Sequence, residues 1–358
     1  MSPGGVATVG AGELRQRLRA GRWRVLLLTW FLVLALVTLG LRQFAASAQT
    51  NDPFATPTGA VMFGGLSLFL LVVALLVVPA LSSQSVNGDR ERGVLATLQV
   101  TDLTPAEIAL GKFAAAWGVS LVFLLVSLPL GIWSLLEGGV GIKRLLVVTV
   151  VQALLLGVVA AVSLALSAML ARTTTSAVLS YLSVLGLTVG TVIAFGLATT
   201  LVGEKVHHGG VSQDGFASSG YDETVTHTER IWWLLAPNPV VVMVDASPAP
   251  PLRSGQFGFA GDLPVGGELT AQQYGEVANA NDPLRAIRRS VRDLRRAPDT
   301  STSPGLTVTF DDQRPAAPGA IWPWGLGFDM LLGIGALITT TRRLRTPARV
   351  LPRGTRVA

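Results

Sequence analysis

Five stretches of this chain run without a single charged side chain: Val25 to Leu41, Pro53 to Gly88, Phe113 to Leu136, Leu145 to Ala171 and Thr173 to Gly203. A hydrocarbon core about 30 Å thick needs about 20 mostly apolar residues per helix, and core helices of soluble proteins rarely stay uncharged for that length. The five stretches therefore predict transmembrane helices. Ile321 to Thr341 predicts a sixth, interrupted by Asp329 but anchored by Trp322 and Trp324 at one end and by the basic run Thr341 to Arg345 at the other. With 50% hydrophobic and 14% charged residues among 358, the composition fits an all-α polytopic membrane protein and excludes an ordinary soluble domain. The chain has no cysteine, so neither a disulfide framework nor a thiolate metal site is available to it.

Basic residues in short loops and tails set the orientation. With the N-terminus in the cytoplasm, Arg15, Arg17, Arg19, Arg22 and Arg24, then Arg90, Arg92, Lys112 and Arg172, and the arginines of the C-terminal tail all fall on the inner side. Only Arg42, Lys143 and Arg144 fall in short loops outside. This orientation predicts a cell-membrane protein with both termini inside. The first apolar run, followed by Ala46-Ser47-Ala48, imitates a secretory signal, but it exceeds the roughly 7–15 apolar residues of one, and an uncleaved anchor is expected.

The expected organisation follows from these spans. Residues 1–24 form a basic interfacial helix on the inner leaflet, and residues 25–202 hold spans one to five. Residues 203–320 form one long external loop, residues 321–341 the sixth span, and residues 342–358 a cytoplasmic tail. Within the loop, residues 230–246 are apolar but split by Pro237 and Pro239, which disfavour one straight helix and suggest a re-entrant element. Residues 283–296 place Leu284, Ile287, Val291 and Leu294 at helical spacing among arginines, as in a basic amphipathic helix lying on a membrane or packing on the loop.

Between spans two and three, Asn87 to Phe113 crowds acids and bases together. Thr104, Pro105 and Glu107 make a capping box with proline at the first helical position, so a helix should start at Pro105 and run through Lys112 into span three. Before it, Asn87 or Asp89 is a candidate cap for a short helix over Arg90 to Val100, with Val94, Leu95 and Leu98 as its apolar stripe. A short rod rigidly joined to a span suits a lever on which a cytosolic partner pushes.

The residues Glu91, Gly93, Leu95, Leu98, Pro105, Glu107, Ile108, Gly111 and Lys112 resemble the loop between the second and third helices of ABC-2 type permeases, the membrane halves of ATP-binding cassette exporters. The family's usual Glu-Arg-x-x-Gly-Thr-Leu is offset here to Glu91-Arg92-Gly93-Val94-Leu95, with Val94 in the place of threonine. The polar corner Ala171 to Ala177 and the Asn238-Pro239 pair before the last span extend the likeness. The resemblance implies that residues 90–100 are a coupling helix docking on a cytosolic ATPase subunit, with Arg90, Glu91, Arg92, Gly93, Leu95, Leu98, Glu107 and Lys112 as its docking residues. It also implies a second permease copy, surrounding lipid, no nucleic acid, and a cargo that is amphipathic or lipid-like. This chain would bind no cofactor, since ATP and magnesium belong to the partner; Leu110 to Phe113 lacks the glycine and Ser/Thr of a phosphate loop.

Other residues compete for a role. Asp329 is the one carboxylate inside a span, where ionised groups cost roughly 2.5–3.5 kcal/mol on insertion scales; it is a candidate for the translocation pathway or for helix pairing, as is Gln152. Gly186 and Gly190 form a GxxxG pair that permits close helix approach. His207, His208 and His227, near Glu204 and Asp222, show no recognised metal spacing, and no metal site is expected. A proton-coupled secondary transporter built on Asp329 and a membrane enzyme using the loop histidines stand as the alternatives to the exporter.

Overall fold

The computed structural model describes residues 3–19, 21–51, 56–93, 103–211, 217–248, 282–297 and 319–345. The chain is a multi-pass helical bundle with one β-hairpin. Helix α1 (Pro3–Arg19) is followed by α2 (Gly21–Asn51), α3 (Thr58–Ser82), the short α4 (Asn87–Glu91), α5 (Pro105–Leu136) and α6 (Ile142–Met169). Helix α7 (Thr173–Leu185) continues through a π-helical turn, Gly186–Gly190, into α8 (Thr191–Thr199). Strands β1 (Gly203–Val211) and β2 (Ala217–Thr226) pair antiparallel, and α9 (Pro239–Ala246), α10 (Pro283–Asp293) and α11 (Trp322–Arg343) complete the described elements.

Six helical segments among the described residues are long and apolar enough to cross a membrane: Trp23–Ala48, Thr58–Glu91, Pro105–Leu136, Ile142–Met169, Thr173–Thr199 and Trp322–Arg343. They are the six expected spans. Helices α3 and α6 form the centre, with 61% of the most apolar window of each buried, against 11% for α2 and for α7–α8. Leu71, Leu155, Leu164 and Ala160 lie in this core with at most 1% exposure. The α5–α6 connection turns on Gly138 (φ 89°) and Gly139 (φ 79°), where a side chain would be strained; a Cβ on Gly139 would also lie 2.6 Å from Pro57.

Three local expectations change. The interfacial helix at the N-terminus is α1, and it packs along α5: Gly10 meets Gly111 so closely that a Cβ on Gly111 would lie 2.6 Å from that of Val9. Of the helix expected over residues 90–100, only residues 90–93 are described, and there the short helix α4 stands. It starts at Asn87 and ends at Glu91, and Gly93 takes a left-handed φ of 72° that breaks the helix as a C-terminal glycine does. Val94, Leu95 and Leu98 lie outside the described residues. The loop after the fifth span holds a hairpin that was not expected, although Asp214-Gly215 between two strand-like runs is a hairpin signal.

The Pro237/Pro239 split is real: two 3₁₀ turns, Thr228–Arg230 and Trp232–Leu234, precede α9, whose N-cap is Asn238. Helix α9 packs against α6, α10 and α11, and Val242, Met243 and Val244 are wholly buried. Helix α10 is the expected basic helix, capped by Asp282, but its arginines turn to the protein. Arg288 donates to the Ser247 carbonyl at 2.9 Å, Arg292 pairs with Asp245, and Arg295 lies over the Trp232 ring at 4.6 Å.

Candidate functional site

At the end of the bundle where α1 lies, the segment after α3 is bolted to three helices. The Ser167 hydroxyl of α6 accepts from the Val86 and Asn87 amides at 3.2 and 3.1 Å, and the Ser176 hydroxyl of α7 donates to the Ser83 carbonyl at 2.8 Å. The capping box at the start of α5 is complete: Thr104 Oγ1 accepts from the Glu107 amide, and Glu107 Oε2 accepts from the Thr104 amide at 2.8 Å.

The bolt itself is Lys112. Its side chain has no exposure, and its ammonium donates to Glu13 of α1 at 2.6 Å, to the Ser85 carbonyl at 3.1 Å and to the Asp89 carboxylate of α4. An ammonium has three donors, and all three are used. A buried ion pair is tolerated only when hydrogen bonds satisfy it in this way. Lys112 and Glu107, expected at the docking surface, are thus interior residues, at 1% and 4% exposure, because their polar atoms are consumed by the corner they hold.

Among the described docking residues, Glu91, Arg92 and Gly93 face outward. Arg92 folds back on Asp89 at 3.0 Å, and Arg90, half-buried, reaches toward Asn87 and the Leu170 carbonyl at 3.5 and 3.4 Å. An exposed charged tip on a rigid base is the product. Glu13, Ser85 and Asp89 were not anticipated, because a lysine inside an apolar helix does not say which distant carboxylates meet it.

At the opposite end, Arg144 at the start of α6 is 2% exposed and pairs with Asp282 at 2.7 Å, with Ser247 Oγ at 2.9 Å and the Phe63 ring beside it. Asp245, at the end of α9, accepts from the Ile321 and Trp322 amides at 2.6 and 2.9 Å and pairs with Arg292. It therefore caps α11 and ties it to α10. Burial pushes the Arg288 guanidinium below its ordinary pKa, and the charge of Arg292 adds to the shift. Nearby, a hydrogen bond from Arg42 holds the Glu137 carboxyl below the usual carboxylate range.

Inside the bundle the expected pathway residues separate. Gln152 is buried and donates to the Ser67 carbonyl at 2.8 Å, with Met243 Sδ at 3.2 Å, so it ties α6 to α3 and α9. Gly186 and Gly190 bound the π-helical turn and meet no neighbouring helix; a Cβ on Gly186 would find nothing within 4 Å. The Thr188 carbonyl of that turn accepts from Asn238 Nδ2 at 2.7 Å, which joins the fifth span to α9. Two adjoining apolar clefts between α3, α5 and α6 share Ala74, Ser120, Phe123 and Leu156. Asp329 is 1% exposed, and neither carboxylate oxygen has a hydrogen-bond partner among the described residues.

The chain matches no protein-family model and no curated protein.

His227 sits between Glu229, 2.8 Å from Nδ1, and Glu204, 3.3 Å from Nε2, so its two carboxylates lie at opposite ring nitrogens. No group of three His, Asp or Glu side chains suited to a metal occurs among the described residues. His207 pairs with Asp222 and His208 with Tyr221 in the strand register, while their side chains lie outside the described set.

Proposed function

We propose that this chain is the membrane-spanning subunit of an ABC-2 type exporter, driven by a separate cytosolic ATPase that docks on the tip formed by Glu91, Arg92 and Gly93. The observation that carries this reading is the contrast within one corner: an exposed, charged tip on α4 whose base is fixed by the buried Lys112 to α1 and α5. A partner pushing on such a tip moves helices, whereas a tip on a loose loop would absorb the push. The arginine bias assigns the α1 end to the cytoplasm. The outer helices α2 and α7–α8, with little of their apolar surface covered, suit contact with a second copy and with lipid. ATP and magnesium act on the partner, and the cargo is amphipathic or lipid-like.

A proton-coupled carrier needs several ionisable groups within the membrane. Among the ionisable side chains of the described spans, only Asp329 is both buried and unpaired, which favours the exporter. The test is co-purification. The chain, expressed with an ATPase subunit carrying GxxxxGK[ST] and encoded beside it, should retain that subunit, and the double charge reversal Glu91→Lys/Arg92→Glu should release it while the chain still inserts and elutes as one species. Retention by the reversed tip would sink the docking assignment.

A further inference from the structure

Helix α11 presents one buried stripe, Gly325, Asp329, Gly333 and Thr340, to the bundle. The contacts on either side of Asp329 are made by glycines. A Cβ on Gly325 would lie 1.9 Å from the Ala236 carbonyl, and one on Gly333 would lie 3.4 Å from Val158 of α6. Asp329 thus sits about 10 Å along the helix from Trp322, at the seam of α11 with α6 and α9. Every other buried ionisable side chain described above has a counter-charge or hydrogen bonds: Lys112, Glu107, Arg144, Asp245 and Asp282. A carboxylate carried into an apolar interior without a partner costs several kcal/mol, so a partner of opposite charge arriving from outside the chain gains what the resting bundle lacks.

The other side of the same helix shows what kind of partner reaches it. Trp324 and Phe328 are 67% and 49% exposed, Leu331 is 72% exposed, and Phe328 is next in sequence to Asp329. Aromatic faces attract cations and apolar bodies together. Only 22% of the most apolar window of α11 is buried, so most of its apolar surface is open to the membrane.

We propose that Asp329 is the counter-charge for a cationic cargo: a lipophilic organic cation that approaches through the membrane along Trp324 and Phe328 and pairs with the carboxylate at the seam of α11. This rests on the reading of the chain as a permease for amphipathic solutes and narrows the cargo to cations.

The experiment measures equilibrium binding of tetraphenylphosphonium, and of the neutral triphenylphosphine oxide, to the purified full chain in lipid nanodiscs without any ATPase. Tetraphenylphosphonium should saturate the wild type, bind Asp329→Asn about 10–100-fold more weakly, the loss expected for one charge pair several ångströms apart at an effective dielectric of about 20, and bind Asp329→Glu within about threefold of wild type. The oxide should bind all three alike, their elution profiles should coincide, and neither variant should melt below the wild type. Absence of saturable tetraphenylphosphonium binding overturns the proposal. So does equal affinity of Asp329→Asn, the result expected of a carboxyl that carries only a proton. An equal loss for the neutral oxide also overturns it, since that marks a packing role. Because no ATPase is present, failure here leaves the docking assignment standing, and failure of co-purification leaves this result intact.

Discussion

Lys112 and Asp329 are both shut away from solvent, at 1% exposure each, and differ in what meets them. The ammonium of Lys112 finds two carboxylates and a carbonyl from two separate segments, and the carboxylate of Asp329 finds no hydrogen-bond partner among the described residues. Both groups bear a desolvation cost. In one case charge-assisted hydrogen bonds inside the fold offset it, and the residue becomes a fixed joint. In the other the cost stands open, and the residue is available to whatever brings a positive charge. Burial alone therefore does not distinguish a structural charge from a functional one; the partner count does.

The comparison breaks most visibly at Lys112. Lys112→Met removes the cation that Glu13 and Asp89 share, and removal of one partner from a buried pair costs about 3–5 kcal/mol. Its thermal unfolding in detergent should drop by several degrees, and α1 should become susceptible to protease. Asp329→Asn should leave the melting temperature unchanged or raise it, since it removes an uncompensated charge. Equal destabilisation by the two substitutions would remove the distinction between joint and open site.

A middle-sized effect belongs to Asp245, which is paired like Lys112 but at the opposite end of the bundle. Asp245→Ala leaves the Ile321 and Trp322 amides and Arg292 without their acceptor, at a cost of about 1–3 kcal/mol for stranded buried groups. Amide exchange at Ile321 and Trp322 should accelerate with little change in the middle of α11. Uniform acceleration along α11 would mean that Asp245 holds the whole helix and not only its first turn.

The smallest effect is that of Glu137 with Arg42, a half-exposed pair. The hydrogen bond from Arg42 lowers the Glu137 pKa in the folded chain. Its contribution is therefore present above the ordinary carboxylate value, about 4.3, and fades as pH falls through the lower folded value. The melting-temperature gap between wild type and Glu137→Gln should be small at pH 7 and close below about pH 4, consistent with the modest worth of exposed pairs. A gap that widens in acid would reverse the assigned sign.

Much of the architecture was legible because its causes are local. Uncharged length marks the six spans, Thr104-Pro105-Ala106-Glu107 writes its own capping box, and Pro237 with Pro239 forbids a straight helix through residues 230–246. The short helix before Thr104 was expected from Arg90; it starts at Asn87, and Gly93, at φ 72°, interrupts the apolar period that was followed through it. The hairpin escaped because alternation in residues 203–226 is weak among glycines and charges.

The candidate site was legible only as residue types. Lys112 and Asp329 stand out in any apolar run, but Glu13 lies 99 residues from Lys112 and Asp89 lies 23, and no spacing encodes such a meeting. The sequence by itself determined that the chain lives in a membrane, where its spans lie, and that Asp329 would be carried into apolar surroundings, since hydrophobic length and caps act within a few turns. Only the tertiary structure decided that Lys112 is buried and paired and that Asp329 is buried without a hydrogen-bond partner among the described residues. Ion pairing depends on which helices pack together, and that choice is made by shape and burial across the whole bundle.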